Sequence, residues 1–427
     1  PMTLKTRQSG EVNEDLSLRS FTFSYEASGQ RLTVVVTVEK DGLHIKTKSE
    51  GDTSGSVIPI NGPVYQADMI HLVAAREGIQ VGKQFIFPIF EAMTMSYCNA
   101  TIKVLEETAL PLPDGKTVDT FKIETDLKGF KSTSWIDKEG NVYKEVSNIV
   151  GINCTAVRET KEQATDMSFV SSEVNKESKP EVDLIKASRI EIDPPIENPK
   201  TVCQMTVKLI GAEKSDIVID GTFQKLQSES NKELVLDIQQ ADYKKLEESL
   251  KNWQGNPPYP LQDPNLEPFW SESPLIQSNN PQIREKAKEI VQSAENPWNA
   301  SKMIASWLYR NIRKEMRVTI PSAVEVLSSM KGDCNEHSTL FTALARSIGI
   351  PTKICAGLVY QDDGFYYHAW NEVFIDGHWY PVDSTLNRID MDAAHVKLAE
   401  GSLDSQSDIV KLIGNLKVEV ISIQHNE

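Results

Sequence analysis

From about Ser20 to Ala156, apolar and polar residues alternate in short runs. FTFSYEA, RLTVVVTVEK, GLHIKTKSE, ATIKVLE, VDTFKIETD and STSWIDKEGNVYKEVS are separated or turned by KDG, PLPDGK and DKEG. A period of two puts every second side chain on one face, and Gly, Pro, Asp and Asn clusters supply the turns. The pattern therefore predicts an antiparallel, mostly two-faced β domain over residues 1–160. Between Glu159 and Ser188 the chain becomes polar and charged without periodicity, and residues 161–188 read as a linker. Alternation returns in RIEIDPPI, VCQMTVKLIG, DIVIDGTFQKLQ and ELVLDIQQ, which predict a small β-sandwich-like unit over 189–253. The stretch NWQGNPPYPLQDPNLEPFWSESP holds too many prolines for a regular helix and is expected to wrap over a surface.

Beyond it the period becomes helical. Ile283, Ala287, Ile290 and Val291 recur at helical spacing, and Met303, Ile304, Trp307 and Leu308 continue the pattern through residues 296–311. From Gly332 to Asp383 a helix is followed by strands, so residues 254–427 read as one further domain. The expected class is α+β, with two antiparallel β-rich units ahead of a C-terminal core of helices and strands. The chain shows no internal repeat and no low-complexity segment.

Composition narrows the function. Of 427 residues, 39% are hydrophobic and 25% charged, enough to bury more than one core. The formal net charge of −16 argues against nucleic acid as partner, because few cations are left to neutralise phosphates. No apolar run is long enough to predict a membrane-spanning helix. The start PMTLKTRQSGEVNEDLSLRS lacks the apolar stretch of a signal peptide, and Pro1 ahead of Met2 suits a trimmed chain. The five cysteines, Cys98, Cys154, Cys203, Cys334 and Cys355, form no CxxC, so neither a disulfide framework nor a zinc ribbon is predicted.

The segment GDCNEHSTLFTALARSIGIP, residues 332–351, carries the first candidate chemistry. Leu340, Phe341, Leu344 and Ile348 make one helical stripe that ends at Gly349 and Pro351, which puts Asp333 or Cys334 at the helix start. Unpaired N–H groups and the macrodipole there favour an anion, hence a reactive thiolate, and could also hold an oxyanion. The bland reading is a small buried filler.

A base is available in YYHAWNEVFIDGHWYPVDST, residues 366–385. The run alternates as a strand, and Asp376-Gly377 signals a type I′ hairpin. With that pair as the loop, Ile375 faces His378, and Asp383 lies opposite Trp370 and diagonal to His368 on the same face. Diagonal neighbours are about 7 to 8 Å apart, a gap that Asp and His side chains can close. The carboxylate would then hold one ring nitrogen and orient the other toward a nucleophile. His337 competes as the base, but neither Asp333 nor Glu336 would face it on the helix, and it reads as a surface or packing residue. His378 reads as structural, while His44, His71, His395 and His425 have no constellation around them. A metal site on Cys334, His368 and Asp383 would need a fourth ligand or a water, and the usual short ligand spacings are missing. No metal and no cofactor are expected, and no calcium loop of the DxDxDG kind is present.

GDCNEHSTLFTALARSIGIP, with KICAGLVY and HAWNEVFIDGHWYPVDST, resembles the transglutaminase-like core of transglutaminases, many bacterial cysteine hydrolases and peptide N-glycanases, a branch of the papain-like cysteine enzymes. The match is specific over about Ala323 to Thr385. The β units ahead of the core, HVKLAEG and the tail LIGNLKVEVISI are similar to multidomain bacterial members. Ser384 departs from the proline that often follows the aspartate. The resemblance implies acyl transfer on amide bonds of a peptide or protein through a Cys334 thioester, with His368 as acid and base and Asp383 fixing its tautomer. Hydrolysis and transamidation remain equally open. Tyr366, Tyr367 and Trp370 would line the substrate cleft, although packing is the commoner role for Trp370 and Trp379. The rival reading is a catalytically silent binding or assembly protein that uses the β domains and the cleft to recognise a partner. The resemblance also implies a periplasmic or envelope-associated setting, with a signal or anchor not among these residues; it leaves the oligomeric state open.

Overall fold

The computed structural model describes residues 4–27, 30–49, 52–92, 95–112, 115–149, 152–161, 189–219, 222–255, 257, 259, 263–315, 322–401, 409 and 412–426. The expected linker lies outside the described residues except for its first position.

The alternating N-terminal runs form two antiparallel-rich sheets. Leu4–Val12, Leu18–Ala27, Gln30–Glu39, Gly42–Ser49 and Asp52–Ile58 pair in chain order as a five-stranded meander. Every second residue points inward, so Phe21 and Phe23, Val34 and Val36, and Leu43 and Ile45 are buried together with Phe90. A seven-stranded sheet follows, from Tyr65–Gln66 at one edge to Ile152–Val157 at the other. Its core gathers Phe87, Ile89, Ala100, Ile102, Ile123 and Ile136.

The strands expected within residues 189–253 are present, and they close with a partner from far along the chain. Val202–Ile210 lies between Glu233–Gln239 and the strand Lys417–His425, with Gln224–Ser230 outermost. Met205, Val207, Leu209, Leu234 and Leu236 share one core with Leu358, Tyr360, Val396 and Leu398 of the next sheet. Ile190–Glu191 pairs directly with that next sheet.

This next sheet runs in the order Ile190–Glu191, Gly364–Ile375, Thr352–Gln361, His395–Gly401, with His378–Val382 also paired to Gly364–Ile375. Residues Thr352 to Tyr360 of the central strand are all buried. The helix Cys334–Ser347 packs on it and is surrounded by Pro281–Ile290, Pro297–Asn311 and Ala323–Ser329. Consequently residues Glu336 through Ala345 are buried without interruption, and the single stripe read from the sequence understates how central this helix is. The helix starts are capped by side chains: Asn280 accepts from Gln282 N–H, Asn296 from Asn299 N–H and Ser322 from Glu325 N–H. The proline-rich stretch does wrap: Tyr259 N–H donates to the Ile348 carbonyl at 2.8 Å. A side chain at Gly349, where φ is +84°, would meet the Tyr259 oxygen at 2.2 Å.

Candidate active site

Cys334 is the first residue of its helix, half-buried and unpaired with any other cysteine. The start is built by a capping box: Asp333 Oδ1 accepts from Asn335 N–H at 3.1 Å, and Glu336 Oε2 reaches back to Asp333 N–H at 3.0 Å. Glu336 can fold back only because residue 332 is glycine, since a Cβ there would come within 2.2 Å of the Glu336 Cβ. Ser338 Oγ donates to the Cys334 carbonyl at 2.7 Å and Thr342 Oγ1 to the Ser338 carbonyl at 2.8 Å.

The hairpin forms in the register read from the sequence. Ile375 pairs with His378 and Asn371 with Val382, while Asp376 and Gly377 take φ of 51° and 80°. Beyond Val382 the chain turns on itself, with Asp383 and Arg388 exchanging backbone hydrogen bonds at 3.0 and 2.9 Å. The Asp383 carboxylate is fully buried and held by directed hydrogen bonds. Oδ1 accepts from Thr385 N–H at 2.8 Å and Leu386 N–H at 3.0 Å; Oδ2 lies 2.8 Å from His368 Nε2. With Nε2 committed to Asp383, Nδ1 is the ring nitrogen left to meet the Cys334 thiol, which is near enough to help raise the imidazole.

The charges reinforce this arrangement. Burial opposes a charged His368, but the Asp383 carboxylate, its hydrogen bond and then Cys334 outweigh burial and raise the imidazole to about 9. Burial likewise opposes an ionised Asp383, and His368 followed by His395 holds it well below the usual carboxylate range. At neutral pH the ring is thus a charged donor beside the thiol.

The other candidates divide. Trp370 is 2% exposed and packs behind His368 at 6.4 Å between ring centres, in a small cluster with Cys355 and Met391. Its indole sits over Gly357, where a Cβ would come within 2.9 Å of the ring. Trp379 meets Phe269 and Phe374 edge-on, with Lys353 Nζ 4.4 Å above its ring. Tyr367 lies one residue from His368, so it points to the opposite side of the strand, where burial pushes its hydroxyl up. Tyr366 is on the histidine side, and its hydroxyl donates to Asp363 Oδ1 at 2.7 Å. His337 is fully buried, a packing residue whose Nδ1 lies 2.6 Å from the Asp333 carbonyl; burial pushes its imidazole down.

Spacing missed two contributors. Asn371 Nδ2 donates to Thr342 Oγ1 and to the Ser338 carbonyl, joining the histidine strand to the cysteine helix. His395, read above as isolated, stands against Asp383 and Asp392. The signal available in HVKLAEG was a histidine at the head of an alternating strand; which residues would face it depends on a strand pairing that spacing does not carry. Among the described residues, groups with metal-ligand geometry are Glu39, Asp41 and His44 at the surface and Cys355, Glu372 and Glu400 inside. In the second group, Lys353 and Lys397 occupy both carboxylates at 2.6 to 3.1 Å.

A thiol at a helix start, an imidazole on the next strand and a buried carboxylate on the hairpin return lie together, and the family comparison covers all three. Residues 284–384 form a transglutaminase-like domain. The matching model is described as the transglutaminase-like superfamily. Two proteins named kyphoscoliosis peptidase are similar over part of the chain. The Mus musculus protein is 24% identical over 117 residues and the Homo sapiens protein 25% over 119 residues, in each case 24% of this chain and 18% of the relative. The chain thus spans less than a fifth of the length of these curated relatives. Among solved structures, a Cytophaga hutchinsonii protein provisionally described as a cysteine protease is 17% identical, with TM-score 0.36, over 53% of this chain and 86% of that one. A Parabacteroides distasonis protein provisionally described as a protease is 12% identical, with TM-score 0.20, over 93% and 68%. Scores of this size add nothing to the domain match. The family match is thus confined to the C-terminal part of the chain, with a β-rich region ahead of it.

Proposed function

We propose that the protein is a cysteine-dependent acyl-transfer enzyme acting on amide bonds of a peptide or protein, with Cys334 as nucleophile, His368 as acid and base, and Asp383 as the group that orients His368. The observation that carries this reading is the 2.8 Å contact between His368 Nε2 and Asp383 Oδ2, which leaves Nδ1 as the nitrogen free to serve Cys334, a residue that itself helps to raise the imidazole. In the first step Cys334 Sγ attacks the carbonyl carbon. The carbonyl electrons move to oxygen, held by the Cys334 backbone N–H at the helix start. As the tetrahedral adduct collapses, the C–N bond breaks and the amine leaves with the proton from His368 Nδ1. Water or a second amine then attacks the thioester; His368 takes its proton, and the thiolate leaves. Asp383 keeps Nε2 protonated throughout, so that Nδ1 is always the nitrogen that exchanges the proton.

A silent binding protein would not need a buried carboxylate held at such cost behind the histidine, which favours the catalytic reading. The envelope setting implied by the sequence resemblance is part of this proposal. The test is competition among thiols for iodoacetamide at mildly acidic pH. Cys334 should label many-fold faster than the exposed Cys154, and Cys334→Ala should abolish turnover in a peptide-profiling screen. Equal labelling of the two thiols, or turnover that survives Cys334→Ala, would sink the reading.

A further inference from the structure

Asp383 has a second imidazole against it. His395 opens the strand His395–Gly401 with its side chain 1% exposed. Its Nε2 lies 3.6 Å from Asp383 Oδ2, the oxygen that also meets His368, and its Nδ1 lies 3.1 Å from Asp392 Oδ1. Nδ1 is within hydrogen-bond reach of Asp392, while Nε2 faces Asp383 beyond it, as an ion-pair contact; two carboxylates, one on each side of a buried ring, favour a hydrogen on both nitrogens. A ring with two N–H groups is an imidazolium. A neutral ring would aim a lone pair at one carboxylate inside a buried site, where like-signed neighbours are poorly screened.

The surroundings agree. Asp392 also meets Arg388 Nη1 at 2.7 Å, and its Oδ1 accepts from Ala394 N–H at 3.0 Å; burial opposes its charge, and His395 followed by Arg388 holds its carboxyl below the usual range. The Trp370 ring meets His395 edge-on at 5.4 Å, and the His368 ring stands 6.3 Å away. Glu372 and Lys397, which line the same small cavity as His395, pair with each other at 2.9 Å and so largely cancel. Charges therefore alternate along one buried line, Arg388, Asp392, His395, Asp383 and His368, that ends at the Cys334 thiol.

We propose that His395 is a positioning residue of this site: an imidazolium whose Nδ1 donates to Asp392 and whose Nε2 faces, as a through-space ion-pair partner at 3.6 Å, the Asp383 oxygen that also meets His368, so that it draws off part of the negative charge that would otherwise hold the proton on His368. The proposal rests on the reading of Cys334, His368 and Asp383 as one catalytic unit. Its value to that unit is in the acid step. Asp383 alone in a dry pocket would grip a charged His368 so tightly that its proton would be handed over reluctantly, and an acid works best when its strength is near the working pH. A second cation on the same oxygen tempers that grip. Burial works against charge on His395, yet Asp392 and then Asp383 raise its imidazole, in keeping with a ring that stays protonated.

The test is made on the full chain, and its first readouts need no substrate. In the wild type, nitrogen NMR of the His395 ring, assigned through its bonded carbons, should show both nitrogens protonated at pH 7; one bare nitrogen overturns the proposal. His395→Gln keeps a donor near the place of Nε2 but removes the charge. The titration midpoint of His368, identified with His368→Asn, should then move up by about half a unit to one unit, the size expected for a nearby cation withdrawn from a buried site. A folded His395→Gln with an unmoved midpoint would reduce His395 to packing. Failure of the catalytic reading looks different, because Cys334 would then alkylate no faster than Cys154 whatever residue occupies position 395.

Discussion

Asn371 Nδ2 donates to the Thr342 hydroxyl at 2.9 Å, and this contact fastens the strand that carries His368 to the helix that begins at Cys334. The second amide hydrogen goes to the Ser338 carbonyl at 3.1 Å, also buried. Asn371→Leu keeps the branching of the side chain and removes both donors, so it should cost about 1–3 kcal/mol of stability, the penalty for leaving the buried Thr342 hydroxyl without this donor. Urea unfolding of the two proteins measures this. The variant should also lose much of its fast Cys334 alkylation while still folded, because nucleophile and base are no longer tied to one another. A variant as stable and as reactive as wild type would show that the fastening is unimportant.

The second prediction concerns pH. His368 titrates at about 9, above the usual histidine value of 6.5, because Asp383 and Cys334 outweigh the burial that opposes its charge. A reaction that needs the charged ring as acid should therefore hold up to about pH 9 and fail above it. The sign for stability is the same: a group raised on folding contributes fully below its unfolded value, and that contribution is lost as pH rises through its folded one. Melting temperature should fall between pH 7 and pH 9.5 in the wild type, by about a degree or more, and fall less in His368→Gln. Equal slopes in the two proteins would remove the pairing as the cause.

Gly332→Ala addresses the helix start. The new methyl would collide with the Glu336 Cβ at 2.2 Å and push Glu336 off the Asp333 N–H, undoing one half of the capping box. Stability should fall by about 1 kcal/mol. Cys334 lies two residues on, so its alkylation should slow by on the order of ten- to a hundredfold, since small displacements at reacting atoms are costly. Alkylation kinetics against a thermal melt separates the two effects; equal losses in both would mean general unfolding instead.

Chelation gives a further check. The proposed steps use a thiol, an imidazole and a carboxylate, and the interior group Cys355, Glu372 and Glu400 is already neutralised by Lys353 and Lys397. Incubation with EDTA should leave Cys334 labelling within about twofold of its untreated rate, within the reach of ordinary ionic-strength effects. A loss that calcium restores would require a metal in the mechanism.

The pairing of His368 with Asp383 was legible because a two-residue turn at Asp376-Gly377 sets the register of everything around it, and register is a local property. The cysteine at a helix start was legible for the same reason, since caps are local too. What escaped was set by pairings between distant segments. His395 reaches Asp383 because its strand lies alongside Thr352–Gln361, with His395 opposite Val359, and no periodicity announces which strands become neighbours. Trp370, for which packing is the commoner expectation, and Tyr367 each pack in a hydrophobic cluster because the strand that carries them is covered by sheet and loop residues from other parts of the chain. The C-terminal strand likewise alternates correctly, yet nothing in it names Val202–Ile210 as its partner.

That last pairing has a consequence for how the protein is made. Val202–Ile210 gains one neighbour, Glu233–Gln239, soon after it is synthesised, while its other edge waits for Lys417–His425. The two segments are roughly two hundred residues apart, so at about 5–20 residues per second the edge stays bare for some ten to forty seconds on the ribosome. A bare strand edge is a template for any other chain that passes. During this interval the fold carries a liability that native stability does not measure, and Lys417–His425 acts as the stopper that ends it.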